Sequence, residues 1–372
     1  MTSRGSGKAL PGTSDAAVGD RVLEAVYTFQ VTTKTVLGGL LLTFDQGFCM
    51  QAGSASSGSS LTYVRRSDCS DSNPLQLFQW GSDYTIRLSS RSQGSTSLCL
   101  TGGTSGDVTA ALRACDPSRP DQLFGFDDLG SRLRNENAAN TSLTGNCLWA
   151  GATGTDLSGR TLRSSADCSA DNQAWGSWAP APRFGAGAAS YATGQVVSYA
   201  QTGRCFDITG HRLDAGYDIV YPCKSDPSGR GQVPWNHQIS YTRPSTTPTL
   251  ATQITVKAPD VATTYCFTAP DPTASAPAFP RMSPCTGSAS GPQLWKRTEV
   301  DPSTRDSYTF KDVYGRCLDI GPVEGQLSWD YYSPWSRMVV AACNGQPSQK
   351  WNAPADLTAA SVTGLRELPR GS

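Results

Sequence analysis

Twelve cysteines divide this chain into six successive pairs: Cys49/Cys69, Cys99/Cys115, Cys147/Cys168, Cys205/Cys223, Cys266/Cys285 and Cys317/Cys343. After each pair comes a Gln-x-Trp triplet or a relative of it. These are Gln76-Leu77-Phe78, Gln122-Leu123-Phe124, Gln173-Ala174-Trp175, Val233-Pro234-Trp235, Gln293-Leu294-Trp295 and Gln349-Lys350-Trp351. A unit recurring at a period of roughly 40 to 60 residues predicts a fold built by repetition. The cysteines and aromatics are then scaffold, and the positions that differ between repeats are where function is sought.

Paired cysteines serve either zinc or disulfides. Zinc sites want cysteines two to four residues apart, usually with histidines. Here the separations run from 16 (Cys99 to Cys115) to 26 (Cys317 to Cys343), and the 372 residues include only His211 and His237. Six local disulfides are the better reading, each closing a loop worth about 3 kcal/mol in the chain-entropy model. No metal or other cofactor is expected. Disulfides persist in oxidising surroundings, which points to an extracellular or cell-surface protein, although the N-terminus lacks the apolar core of a secretory signal. Formal charge is zero and basic residues are scattered singly, which argues against a nucleic-acid partner. Apolar runs such as Val36 to Leu42 are too short to span a membrane.

The 37 glycines and 24 prolines predict many turns. Two-residue alternation begins at Tyr27, Phe29 and Val31 and recurs in short segments such as Tyr84 to Leu88, Thr161 to Arg163 and Gln195 to Tyr199. This is the pattern of an all-β sandwich or barrel. Residues 1–26 lack an apolar period and read as a flexible tail, as do residues 354–372. The Pro, Gly and Ala-rich stretch over 179–190 reads as a linker dividing the repeats three and three, at 27–178 and 191–353.

Three repeats, each with a cysteine pair and a Gln-x-Trp triplet, resemble the ricin B-chain type of β-trefoil lectin, and the chain is similar to two such domains in tandem. The resemblance implies an all-β fold of two β-trefoils, each a closed barrel of three disulfide-bridged repeats. The physical reading agrees, because one repeat cannot bury its own apolar face. The recurring aromatics, Phe78, Phe124, Trp175, Trp295 and Trp351, are expected in the core.

In the resembling family a competent pocket needs an Asp two residues after the first cysteine and an aromatic two before the second. An Asn or similar amide near the triplet completes it. The carboxylate accepts sugar hydroxyls, the ring stacks on the sugar's C–H face and the amide fixes orientation. The first domain fails this test, with Gln51, Thr101 and Trp149 in place of Asp and Ser67, Arg113 and Ala166 in place of the aromatic. Asn172 survives there without partners. In the fourth repeat Asp207, Tyr221 and Asn236, with His237 beside it, form a nearly complete set. The competing reading is that Asp207 merely satisfies turn amides. The sixth repeat keeps Asp319 but has Ala341 as its platform, and the fifth, with Thr268 and Ser283, is empty. An insertion in the sixth repeat carries Trp329, Tyr331, Tyr332 and Trp335. These aromatics are either a binding patch, for a glycan beside Asp319 or for a protein, or local packing against the barrel.

Catalytic signals are weak, since the acidic pair Asp127-Asp128 is better read as a solvated turn. The sequence therefore predicts a non-enzymatic lectin binding a galactose-like or other glycan through its second trefoil. The alternatives are an adaptor in an extracellular assembly, such as a toxin particle or pilus, or a targeting module of a glycoside hydrolase.

Overall fold

The structure is a computed structural model. It describes residues 2–7, 21–26, 38–43, 47–91, 97–127, 132–149, 155–168, 178–180, 184–189, 193–198, 200, 204–224, 227, 233–241, 251–273, 279–288, 290–299, 308–324, 335–352 and 363–368. Among the described residues there is no α-helix, only strands and single 3-10 turns. The chain forms two β-trefoils.

In the first, the strands Leu41–Thr43, Phe48–Ala52 and Leu61–Arg65 make an antiparallel meander. The second and third repeats repeat it, through Ile86–Leu88, Leu98–Thr101 and Ala111–Ala114 and then Leu133–Asn135, Cys147–Leu148 and Arg163–Ser165. Closure comes from Trp178–Pro180, which pairs back on Leu41–Thr43 with Trp178 opposite Thr43. The second trefoil closes in the same way, with Trp351 opposite Ser198. Alternation places Met50, Leu61, Leu100, Leu112, Leu148 and Leu162 in one core, and Phe206, Val220, Phe267, Met282, Leu318 and Met338 in the other. Both cores are built as the two-residue period predicts.

All six disulfides form between the expected partners: Cys49–Cys69, Cys99–Cys115, Cys147–Cys168, Cys205–Cys223, Cys266–Cys285 and Cys317–Cys343. The first cysteine of each pair lies in a strand, whereas the second lies just beyond one or beyond a turn. Cys168 follows Arg163–Ser165, and its carbonyl accepts Arg132 Nη1 at 3.1 Å. Cys285 follows Arg281–Pro284, and its N–H donates to Thr264 O at 3.0 Å. Cys168 and Cys285 therefore fasten the scaffold and are not pocket residues, and the same holds for the other half-cystines.

A second fastening accompanies the disulfides. The Oε1 of Gln76, Gln122, Gln293 and Gln349 accepts the backbone N–H of the residue following the second cysteine: Ser70 at 2.6 Å, Asp116 at 2.8 Å, Thr286 at 2.9 Å and Asn344 at 2.9 Å. The Nε2 of the same amide donates to the carbonyl just before that cysteine, on Asp68, Ala114, Pro284 and Ala342. Each of these glutamines thus straps the peptide on both sides of a half-cystine.

The aromatic of the triplet is pinned as well. The indole N–H groups of Trp178, Trp295 and Trp351 donate to the carbonyls of Leu148, Phe267 and Leu318, each the residue after a first cysteine. Trp178 therefore fills in the third repeat the place that the triplet pattern assigns to Trp175. Trp175, with Gln173 and Asn172, lies outside the described residues.

Between the trefoils, Phe184, Gly185, Ala186, Gly187 and Ala189 are buried. Phe184 enters the first core and its carbonyl accepts the N–H of Trp80 at 2.7 Å. Ala186 and Ala189 pack instead with Val197 and the Cys205–Cys223 disulfide. Gly185 has φ +106°, and a Cβ there would sit 2.5 Å from the Trp80 carbonyl oxygen, so the crossing needs glycine. Near the chain ends, Thr2–Gly7, Arg21–Val26 and Thr363–Leu368 pair as a small antiparallel sheet within the stretches whose composition reads as tails.

Two measurements check these fastenings. Gln122→Leu leaves the Asp116 N–H and the Ala114 carbonyl without their partner, and is expected to lower stability to chemical denaturation by about 2–4 kcal/mol with all disulfides intact. Phe184→Ala is expected to cost about 3–5 kcal/mol. In calorimetry it should also split one unfolding transition into two, because the segment that joins the cores has lost its anchor.

Candidate functional site

The fourth repeat gathers the predicted polar residues. Strand Arg204–Asp207 pairs with Ile219–Pro222 so that Cys205 faces Tyr221 and Asp207 faces Ile219. Directly opposed residues share a face, and residues two apart share it too. Asp207 and Tyr221 therefore project from one side of the hairpin while Phe206 and Val220 fill the core on the other.

The Asp207 carboxylate has a polar neighbour at each oxygen. Asn236 Nδ2 donates to Oδ1 at 3.0 Å, and His237 Nε2 lies 2.9 Å from Oδ2. A carboxylate has about four acceptor sites, so capacity remains for ligand hydroxyls. Lys224 places its Nζ 5.2 Å from the Tyr221 ring centroid and 3.4 Å from the carbonyl oxygen of Asp127 in the first trefoil. Asp127 is itself buried and bonded to Arg132 at 2.7 Å. It is a structural ion pair at the domain junction and not a solvated turn; Asp128 lies outside the described residues.

The triplet of this repeat is not Val233-Pro234-Trp235. In the second and sixth repeats the triplet glutamine ends a 3-10 turn, Pro120–Gln122 and Pro347–Gln349. In the fourth the same turn is Trp235–His237. The N–H of Gln122 donates to Arg119 O, that of Gln349 to Gln346 O and that of His237 to Pro234 O. His237 accordingly occupies the glutamine position, and Ile239, buried in the second core, occupies that of the tryptophan. The contact of His237 Nε2 with Asp207 corresponds to that of Gln349 Nε2 with Asp319 Oδ2, also at 2.9 Å. A template keyed on tryptophan selects Trp235, one turn too early.

The electrostatics follow from depth. Burial pushes the His237 imidazole below its ordinary pKa, opposed by Asp207 and reinforced by Lys224 and His211. Neither of its ring nitrogens meets hydrogen-bond geometry with a described residue, so the 2.9 Å approach of Nε2 to Asp207 Oδ2 is a close charge contact, and Nδ1 has no partner there. Behind Asp207 stands Asp218, fully buried, whose carboxyl takes the backbone N–H groups of Thr209 and Met282. Burial and then the Asp207 charge raise it well above the carboxylate range.

In the sixth repeat Asp319 is buried, with Oδ1 accepting the N–H of Ile320 and Oδ2 accepting from Gln349. Ala341 faces Cys317 at the platform position, and Ser348 stands where the fourth repeat has Asn236. Trp335 is fully buried and stacked on Tyr217, with centroids 6.0 Å apart, and Arg337 lies over both rings. Trp335 is thus local packing; Trp329, Tyr331 and Tyr332 lie outside the described residues.

The remaining repeats show where counting along the chain succeeds and fails. Counting back from Cys69 and Cys168 selects Ser67 and Ala166, but strand register puts Val64 opposite Cys49 and Ser165 opposite Cys147, so the latter two are the platform positions. Arg113 does face Cys99. None of the three is aromatic. Counting back from Cys285 reaches Ser283, which does face Cys266, and its hydroxyl is bonded to that of Thr268 at 2.6 Å. The fifth repeat therefore holds two hydroxyls where the fourth has carboxylate and ring. Among the described residues no cluster of metal-ligating side chains occurs, and no helix is long and apolar enough to cross a membrane.

The fold and its repeated fastenings define a disulfide-bridged β-trefoil protein. Residues 38–175, in the first trefoil, match the family of the ricin-type β-trefoil lectin domain. No curated protein sequence matches the chain. Among solved structures, the agglutinin from Abrus precatorius is similar at 16% identity, covering 84% of this chain and 94% of the agglutinin, with a TM-score of 0.28. The hemolytic lectin CEL-III is similar at 16% identity, covering 88% of this chain and 66% of that lectin, with a TM-score of 0.26. A cytolethal distending toxin from Haemophilus ducreyi is similar at 16% identity over 46% of this chain and 89% of the toxin chain, with a TM-score of 0.27. These likenesses are remote.

Asp218 yields a prediction with a definite sign. Its folded pKa is raised, so the stability it contributes is present below the unfolded value of 3.8 and is lost as pH rises through the folded value. Asp218→Asn should therefore raise the melting temperature at about pH 8 and leave it unchanged near about pH 3, measured by calorimetry at both.

Proposed function

We propose that the protein is a non-enzymatic extracellular lectin whose second trefoil binds a glycan, galactose-like in the first instance, at the fourth repeat. The observation that carries this reading is the Asp207 carboxylate, hydrogen-bonded by Asn236 and approached to 2.9 Å by His237 Nε2, on the hairpin face that also presents Tyr221. In the proposed complex Asp207 accepts two sugar hydroxyls, the Asn236 amide orients it and donates to a third oxygen, and Tyr221 supplies the stacking surface. Asp319 is the weaker candidate, because Ala341 and Ser348 give it neither ring nor amide.

The loss of carboxylate at Gln51 and Thr101 favours a second reading for the first trefoil, as a scaffold or adaptor surface within a larger assembly. Asp207→Ala in the full chain is expected to weaken glycan binding by at least about tenfold. Asp319→Ala should weaken it by less than about threefold. Titration calorimetry, after a glycan array has chosen the sugar, measures both. Equal binding by Asp207→Ala would remove the fourth repeat from the proposal.

A further inference from the structure

We infer that His237 is the positioning residue for the Asp207 carboxylate, standing where other repeats use glutamine, and that glycan affinity at this pocket falls when its imidazole takes up a second proton. The inference rests on the glycan reading of the fourth repeat. It adds a property that the glutamine-bearing repeats do not have.

Geometry carries the substitution. The 3-10 turn Trp235–His237 superposes in hydrogen bonding on Pro120–Gln122 and Pro347–Gln349, and its last residue meets the side chain two after the first cysteine in each case. Gln122 donates to Thr101 Oγ1 at 3.1 Å, Gln349 to Asp319 Oδ2 at 2.9 Å, and His237 brings Nε2 to within 2.9 Å of Asp207 Oδ2. An amide keeps one donor pattern at every ordinary pH. An imidazole does not. Neutral, with its proton on Nε2, His237 orients a carboxylate that keeps its full negative charge for sugar hydroxyls.

A second proton changes two things. It sets a cation against Asp207, which competes with the sugar for the carboxylate's charge. It also creates an Nδ1–H in a fully buried place where that nitrogen has no partner among the described residues. The strain falls on the short turn that also carries Asn236, the other residue holding Asp207. The surrounding charges are Asp207 from strand Arg204–Asp207, Asp218 from before Ile219–Pro222, Lys224 from after it, and His211 from the turn Thr209–His211. Asp207 favours the protonated imidazole, whereas burial, Lys224 and His211 oppose it. Protonation therefore belongs below the ordinary histidine value of 6.5. By linkage, a ligand that prefers the neutral form is released as the proton binds.

The test uses the full chain and N-acetyllactosamine as a galactose-terminated probe, titrated from about pH 7.5 to about pH 5. Affinity of the parent should fall on the order of tenfold over that range. His237→Ala should lose about tenfold at about pH 7.5, and His237→Gln should recover most of that loss while flattening the pH profile. A His237→Gln protein that keeps the parent's pH dependence, or a His237→Ala protein that binds like the parent, overturns the inference. NMR titration of the two imidazoles separates this from the glycan reading and needs no sugar. Asp207→Asn should move the His237 midpoint downward by on the order of one pH unit. If the midpoint does not move, the positioning role is wrong whatever the sugar does; if it moves while the parent binds no glycan, the glycan reading alone fails.

Discussion

The structure depends on one planar amide repeated through the chain. The triplet glutamine presents a donor and an acceptor a fixed distance apart, and these meet the carbonyl before and the N–H after the second half-cystine. A disulfide by itself fixes where two chain segments touch and leaves the peptide free to rotate about the crosslink. The amide removes that freedom. Buried backbone groups are costly when unpaired, so each strap matters more through the penalty it avoids than through the net strength of its bonds. The aromatic two residues on then enters the core at a fixed angle, with its indole bonded to the carbonyl beside the first half-cystine.

The same Nε2 reaches the side chain at the pocket position: Gln51 Oε1, Thr101 Oγ1, Thr268 Oγ1 and Asp319 Oδ2. Scaffold and pocket thus share an atom, and what the scaffold asks of its partner is an acceptor oxygen, not a charge. This explains how repeats keep their fold while losing binding chemistry. Threonine or glutamine satisfies the strap as well as aspartate does, and neither supplies a carboxylate to a sugar. Preservation of the triplet consequently reports on folding alone.

Much of this was legible in the sequence, because cysteine spacing and two-residue alternation are local signals. The six pairings, the all-β class and the division into three and three repeats follow from them. The failures share one cause: a position counted along the chain is displaced wherever a turn intervenes. Ser67 sits on the 3-10 turn Arg66–Asp68, inserted before Cys69, so counting back from that cysteine misses Val64, which the ladder places opposite Cys49. Cys168 stands off the end of its strand in the same way and misses Ser165, whereas Cys285 directly follows Pro284 at the end of its strand and the count to Ser283 holds. Trp175 matched a motif whose place Trp178 takes in the ladder. In the fourth repeat the long segment between Cys223 and the turn let Trp235 imitate a triplet whose members are His237 and Ile239. The signal available there was the pair Asn236-His237 followed by an apolar residue two further on, which needs the register of the turn to be recognised.

The fourth repeat shows what such a replacement requires elsewhere. An imidazole in the glutamine position keeps the contact to Asp207 but is not the same two-sided amide. The residue that the other straps hold, immediately after the second half-cystine, is here Lys224. Its side chain crosses to the first trefoil and meets the carbonyl of Asp127, which Arg132 holds in turn. The disulfide beside it packs against Ala186 and Ala189 of the segment joining the domains. Where the local fastening has changed, the neighbouring domain supplies one. Among the described residues the fourth repeat brings carboxylate, amide and ring together, and the first trefoil steadies it there through the Lys224 contact and the buried residues of the joining segment.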